Sequence, residues 1–199
     1  MSQSIASVNP LNVEIKSYDQ LNDLLKQLKE ENPNILFTIT RSKNFNVIAY
    51  EANWKADRSG LNPDQPIKVF WLSWAPELMK QAREQGKSTD REDISFVEAT
   101  MAYGLSTERV VTCADEMYSF HLVACKTRKG FVRVKNDKTL ECTLEVNGEQ
   151  MNIVRIHIDS TDPVSFFGLP TGFPTVNFTD LVAVNAHNEL ITEHHVVQK

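Results

Sequence analysis

From residue 117 to the C-terminus, apolar and polar side chains alternate, and this alternation constrains the fold more than any other feature. Its clearest example is the run 140–146 (LECTLEV), in which every second residue is apolar. Such a period of two is typical of a strand with one buried face and one solvated face. The dipeptide Asn147-Gly148 follows directly and favours a type I′ hairpin turn. This half of the chain is therefore predicted to form an antiparallel meander.

The other strands of the meander are predicted from the same pattern. They cover residues 117–125, 131–135, 151–158, 176–184 and 190–197. The tripeptide Arg128-Lys129-Gly130 is predicted to turn the chain between the first two of them, and residues 185–188 to turn it between the last two.

The N-terminal half contains three further strand candidates. Residues 36–41 and 47–51 are rich in β-branched and aromatic side chains, and the polar segment 42–46 between them suits a hairpin loop. The run 67–74 (IKVFWLSW) is apolar at both alternating sets of positions. It is therefore predicted to be a central strand that is covered on both faces.

Helices are predicted at three places. The best defined begins at Ser17 with a capping box, has leucines at 21, 24, 25 and 28 on one face, and ends at Asn32-Pro33. A second is predicted from Pro76 to Gly86. The segment from Ile94 to Ser106 suits a helix or a strand, and a helix that ends at Gly104 is favoured.

These elements predict an α+β fold that is dominated by β-structure. About eight or nine strands in mostly sequential antiparallel order favour a meander that forms a barrel-like or strongly bent sheet, capped by two or three helices. Residues 1–16 are interpreted as an N-terminal extension and residues 17–197 as a single globular domain.

Composition narrows the class of protein. The formal net charge of −5 provides no basic face for nucleic acid, and no window resembles a membrane span. Three widely spaced cysteines predict neither a disulfide framework nor a zinc site. Because the N-terminus also lacks the pattern of a secretory signal, the expected location is the cytoplasm.

Polar and aromatic residues near the ends of the N-terminal strands form the candidate ligand site, together with one tyrosine from the 94–106 segment. They are Arg41, Tyr50, Glu51, Asn53, Trp71 and Tyr103. Arg41 and Glu51 could form a cross-strand ion pair of about 0.2–1 kcal/mol. Alternatively, the arginine fork could hold an anionic or carboxylate ligand against aromatic walls.

Other motifs in the sequence are too weak to assign chemistry. No nucleophile elbow frames a serine or cysteine, and no two histidines have the spacing of a zinc motif. No catalytic residue, metal ligand or cofactor is therefore predicted.

The loop 163–174 combines prolines and glycines with large apolar side chains. Because solvent-facing loops rarely carry so many apolar groups, it is expected to cover a sheet face or a protein partner. Protein partners are predicted to bind through Phe166, Phe167 and Phe173, or through the Leu21–Leu28 helix.

Several of these stretches together resemble a known family. They are Thr40–Asn44, Tyr50–Asn53, Gly60–Pro63, Pro66-Ile67, Val69–Leu72, Ala102–Gly104, Leu122 with Ala124 and Lys126, Val146–Gly148 and the last strand pair. In combination they resemble domain-of-unknown-function family 4833, which is uncharacterised, over residues 35–196. The resemblance implies a shared fold and no assigned activity.

Three functions are compatible with these observations. The favoured one is a soluble, non-enzymatic, barrel-like domain that binds a small apolar or amphipathic ligand. The second is a structural or assembly subunit that docks to protein partners. The third is an enzyme that uses Arg41, Glu51 and Tyr103.

Overall fold

The computed structural model describes residues 18–41, 47–72, 91–110, 116–125, 127–161 and 175–196. Its helices are α1 (Tyr18–Glu31) and α2 (Phe96–Glu98), and α2 continues into a π-helical turn (Ala99–Tyr103). Its strands are β1 (Ile35–Arg41), β2 (Val47–Ala52), β3 (Ile67–Leu72), β4 (Glu92–Asp93), β5 (Leu105–Val110), β6 (Glu116–Leu122), β7 (Lys129–Val134), β8 (Leu140–Val146), β9 (Glu149–Thr161), β10 (Thr175–Val184) and β11 (Leu190–Val196). The predicted cap at Ser17, the helix from Pro76 to Gly86 and the loop 163–174 with Phe166, Phe167 and Phe173 lie outside the described residues.

The strands form one strongly curled, half-barrel sheet. Its order is β4-β3-β2-β1-β9-β8-β7-β6-β5, with β10 on the other edge of β9 and β11 beyond it. The predicted β-dominated α+β fold with a strongly bent sheet is therefore confirmed. Within the described residues, β1 and β9 form the one parallel pair, whereas all the other pairs are antiparallel.

The long strand β9 joins the two halves of the sheet. Its residues 149–152 pair with β8, and its residues 155–158 pair with β1. Along its opposite edge, residues 152–161 pair with β10. Because β10 occupies one edge of β9, both β8 and β1 pair with its other edge, β8 with the first part of the strand and β1 with a later part. The two halves of the sheet therefore meet along this edge of β9.

Aromatic rings fill the concave face of the sheet between these halves. Phe37 of β1 stacks on Tyr50 of β2 with ring centroids 4.3 Å apart, and on Phe120 of β6 at 5.8 Å. All three side chains are almost fully buried. Offset stacking adds to the hydrophobic stabilisation of such rings. Phe37 therefore connects the N-terminal strands with the C-terminal meander.

Helix α1 covers the convex face. Its Leu21 and Leu24 pack with Phe70 and Leu72 of β3, which confirms that the leucine stripe is a core face. Leu21 is 0% and Leu24 7% exposed, whereas Leu25 and Leu28 are partly exposed, so docking of a partner through the Leu21–Leu28 helix stays a prediction. The opposite face of β3 packs on the concave core, which confirms that the strand is covered on both sides. However, among the described strands β3 is next to the end of the sheet order rather than central, with the two-residue β4 beyond it.

The meander differs from expectation at two places. The first strand ends at Leu122, and residues 123–125 form a 3-10 turn instead of continuing it. Gly130 was expected in a turn but lies inside β7, opposite Phe120. A β-carbon at Gly130 would lie 2.2 Å from Cζ of Phe120. The glycine therefore makes room for that ring.

Glu193 of β11 fastens the last hairpin to the turn between β8 and β9. Its carboxylate accepts hydrogen bonds from the Asn147 N–H at 2.5 Å and from the Arg128 guanidinium. Arg128 also donates to the Glu145 carbonyl at 2.8 Å. Burial raises the pKa of Glu193, but the hydrogen bonds from Asn147 and Arg128 outweigh it and lower the pKa below its usual range.

We expect this contact to make stability depend on acid pH. A carboxyl whose pKa is lowered on folding stabilises the fold above its unfolded-state pKa of about 4.3, and this contribution is lost as the pH falls below that value. Glu193→Gln should lower the free energy of unfolding by about 1–2 kcal/mol at pH 7. Urea unfolding at pH 7 and pH 3.5 should show the difference from the unsubstituted protein shrinking at the lower pH. The exposed Glu149→Gln is the control, and a deficit of equal size at both pH values would contradict the assignment.

Candidate functional site

Three of the residues selected from the sequence meet on the concave face. Arg41 at the end of β1 shares its face with Phe37 and Ile39, because side chains alternate along a strand. Its guanidinium carbon lies 6.0 Å from the ring centroid of Tyr103, which ends the π-helical turn. The Tyr103 ring meets Trp71 of β3 edge to face at 5.5 Å. All three side chains are partly exposed and thus accessible to a ligand.

Glu98 of α2 is a fourth member, which was not predicted from the sequence. Its carboxylate accepts hydrogen bonds from Trp71 Nε1 at 3.2 Å, Ser95 N at 2.8 Å and Ser95 Oγ at 2.9 Å. Ser95 and Glu98 form a capping box, and the S-x-x-E pattern in the sequence could have identified it. We call Arg41, Trp71, Glu98 and Tyr103 the arginine–aromatic site.

The charge of Glu98 is stabilised by its surroundings. Burial raises the pKa of Glu98, but the hydrogen bonds from Ser95 and Trp71 and the nearby Arg41 guanidinium outweigh that effect and lower the pKa. Glu98 is therefore ionised at neutral pH, and three donors already contact its two oxygens. By contrast, the Arg41 guanidinium makes no hydrogen bond or ion pair with any residue that the structure describes.

Tyr50 supports this site through the backbone of Tyr103. Its side chain is fully buried, and its hydroxyl donates a hydrogen bond of 2.6 Å to the Tyr103 carbonyl oxygen. Burial, together with the nearby Tyr103 and Cys125, raises the pKa of Tyr50 well above its usual value. The structure thus places Tyr50 as a neutral anchor of the π-helical turn, with no surface of its own open to a ligand.

Glu51 lies elsewhere. It is adjacent to Tyr50 in β2 and therefore points to the opposite, convex face. There its carboxylate accepts hydrogen bonds from Arg91 at 2.6 and 3.0 Å and from Asn32 Nδ2 at 2.6 Å. In the strand register Glu51 is opposite Ile35, at the far end of β1 from Arg41. The structure therefore does not contain the Arg41–Glu51 ion pair considered from the sequence.

Asn53 is also separate from the arginine–aromatic site. Its side-chain amide donates to the Gln65 carbonyl oxygen at 2.8 Å, and its backbone N–H donates to the Pro66 carbonyl oxygen at 2.9 Å. These bonds close the loop before β3.

Gly104 shapes the turn that presents Tyr103. Its backbone is extended, with φ −66° and ψ 168°, rather than left-handed as a helix-ending glycine would be. A β-carbon there would lie 1.9 Å from the Ala99 carbonyl oxygen. The helical interpretation of this segment is confirmed for 96–103, but the glycine is needed for close packing and not for a positive φ.

Within the ranges that the structure describes, no three His, Cys, Asp or Glu residues are grouped as a metal site would require. In the same ranges, no helix is both long and apolar enough to cross a membrane.

Comparison with known proteins identifies a family but no activity. No curated protein and no solved structure matches the chain. A family model described as "Domain of unknown function (DUF4833)" matches residues 37–194, which include most of β1, the arginine–aromatic site and most of β11. Since this match spans most of the sequence, the chain belongs to the DUF4833 family.

Proposed function

We propose that this protein is a non-enzymatic binding domain whose ligand is small and amphipathic and carries a carboxylate. The carboxylate binds the Arg41 guanidinium, and the apolar body of the ligand packs on Trp71 and Tyr103. The observation that carries the proposal is the convergence of these three partly exposed side chains on one face of the sheet. Arginine forks and aromatic surfaces are common elements of such sites.

The surroundings of Arg41 support an anionic group. Glu98 is the nearby acid, but its oxygens are held by Ser95 and Trp71, so the planar edge of the guanidinium remains a suitable partner for a ligand carboxylate. The Tyr50 hydroxyl fixes the turn that carries Tyr103, which keeps the aromatic wall in place. In a preformed site of this kind, little binding free energy is lost in ordering the side chains.

Phenylacetate is a suitable first probe because it joins a carboxylate to an aromatic body. We expect calorimetry to show binding of phenylacetate and at least about tenfold weaker binding of 2-phenylethanol, which lacks the charge. Arg41→Gln should weaken phenylacetate binding by about tenfold or more, whereas the exposed Arg58→Gln should leave it unchanged. Equal binding by both variants, or no binding of phenylacetate at millimolar concentration, would refute the proposal.

Docking to a protein partner is the second candidate function. It is supported by Phe96 and Val97, which are 84% and 55% exposed on the segment that carries Glu98. If this patch binds protein, Phe96→Ser with Val97→Ser should abolish a stoichiometric complex isolated with the unsubstituted protein. The enzyme that would use Arg41, Glu51 and Tyr103 is not proposed, because Glu51 lies on the opposite face of the sheet.

The location of the protein and its lack of nucleic-acid partners stay predictions. Cys125 and Cys142 are free thiols, which is compatible with the reducing conditions of the cytoplasm.

A further inference from the structure

A cleft lies on the convex face, between one flank of α1 and the sheet. It has a volume of about 580 Å³, within the range of cavities that hold small molecules. Leu21 and Leu24 attach α1 over β1, β2 and β3, while the flank with Leu25 and Lys29 faces the cleft. The opposite wall is formed by β1, β9, β10 and the start of β11. We call this space the α1 cleft.

The floor of the α1 cleft is apolar. It is lined by Leu25, Ile35, Val154, Val182 and Leu190 from five different elements. Leu190 is 66% exposed, although large apolar side chains are normally covered in a folded domain. A ligand in the cleft would cover this side chain, and the hydrophobic effect would favour that burial.

Cationic groups surround this apolar floor. Lys26, Lys29 and Arg155 line the cleft, and Glu30 is the one acidic residue among the lining residues that the structure describes. The local charge is therefore positive although the whole protein has a formal net charge of −5. Such a distribution attracts an anion to one restricted place on an otherwise acidic surface.

Two of these cations are positioned by the fold. Arg155 of β9 donates a hydrogen bond to Asn22 Oδ1 on α1, which holds its guanidinium at the cleft. Lys29 is exposed overall, yet enough protein surrounds its amine for burial to lower its pKa. A carboxylate beside Lys29 would offset this desolvation, because an opposite charge favours the ionised form.

From these observations we infer that the α1 cleft binds a linear acyl chain with an anionic head group, such as a medium-chain fatty acid. The chain lies on the apolar floor, and the head group binds Lys29 and Arg155. From Asn22 to Lys29 the helix rises about 10 Å, which favours a medium chain over a long one. This site is independent of the arginine–aromatic site, which is on the other face of the sheet.

Decanoate is the probe that tests this inference. Calorimetry of the Arg41→Gln variant, in which the arginine–aromatic site is weakened, should show one decanoate bound per protein at low ionic strength, with at least about tenfold weaker binding of decanol and decyltrimethylammonium. Lys29→Gln and Arg155→Gln should each weaken decanoate binding by about fivefold or more, and Lys55→Gln should not, because Lys55 is exposed and is not among the residues that line the cleft. Leu190→Asn should also weaken it, and this variant tests the floor without disturbing the core because the side chain is exposed.

Specific outcomes separate this inference from the proposed function. Arg41→Gln should leave decanoate binding to the α1 cleft unchanged, and Lys29→Gln should leave phenylacetate binding to the arginine–aromatic site unchanged. The inference is overturned if decanoate does not bind, if the three head groups bind equally, or if neither Lys29→Gln nor Leu190→Asn weakens decanoate binding. Circular dichroism of each variant checks that the fold is retained, so that a loss of binding can be assigned to the cleft.

Discussion

Replacing Phe37 with alanine should lower the free energy of unfolding by about 4 kcal/mol, a large part of the stability of a typical domain. The Phe37 ring is 1% exposed and stacks on both Tyr50 and Phe120, so its removal leaves a cavity between the two halves of the sheet. The loss includes the transfer free energy of the ring, the cost of the cavity and two aromatic contacts. Urea unfolding followed by circular dichroism measures it.

The control for this prediction is the same substitution at an exposed position. Phe96→Ala removes a ring that is 84% exposed, and we expect a change below about 0.5 kcal/mol. If Phe37→Ala cost no more than Phe96→Ala, the aromatic stack would not connect the two halves of the sheet as described.

Replacing Gly130 with alanine should cost about 2–3 kcal/mol, although the change adds only one methyl group. The new β-carbon would lie 2.2 Å from Phe120 Cζ and 2.6 Å from its two ε-carbons. Phe120 is fully buried, so its ring cannot move away without displacing other core side chains. Alanine also lowers the conformational entropy of the unfolded chain, which by itself would stabilise the fold slightly. The measured loss of unfolding free energy is therefore the cost of the clash minus this smaller gain.

Two further variants test the cause of that loss. Gly148→Ala has nothing within 4 Å of the new β-carbon, but its φ of +82° makes alanine strained, so we expect a cost of about 1 kcal/mol. In a protein with Phe120→Leu, the added cost of Gly130→Ala should fall by more than half, because the clashing ring atoms are gone. An unchanged cost in that background would mean that Phe120 is not what Gly130 accommodates.

Local sequence patterns predicted much of the architecture correctly. Asn147 and Gly148 have φ values of 51° and 82°, as the predicted type I′ turn requires, and the strands on either side pair as a hairpin. The leucines at 21 and 24 are buried as the helical spacing indicated. In each case the signal and the structure that it specifies lie within a few residues of each other in the chain.

Polar or long-range elements were missed. Strand β5 (LSTERV) was not predicted, because four polar or charged residues in six hide the strand pattern at the edge of a sheet. Ser95 and Glu98 were not predicted as a cap, although they have the spacing of a capping box. Short motifs of this kind occur often, and only the packing of the chain shows which one caps a helix.

The candidate site was predicted only in part, for a comparable reason. Arg41, Trp71 and Tyr103 are brought together as the sequence analysis expected, while Glu51 binds Arg91 on the other face. Side chains alternate along a strand, so Tyr50 and Glu51 face opposite ways, but this alternation does not show which of the two shares a face with Arg41. The α1 cleft had no sequence signal, since its lining residues come from five separate elements.

The sequence by itself determined the identity of most strands, the place of several turns and the buried side of α1, because periodicity and turn chemistry act between near neighbours. Only the tertiary structure decided that β1 pairs in parallel with β9, that Phe120 lies over Gly130 and that Arg41 meets Tyr103. The periodicity of a sequence indicates whether a side chain is buried, but it does not indicate which residue the side chain contacts, because many neighbours could bury it equally well. The packing of the whole sheet determines which residues contact each other, and both proposed binding sites are formed by such long-range contacts.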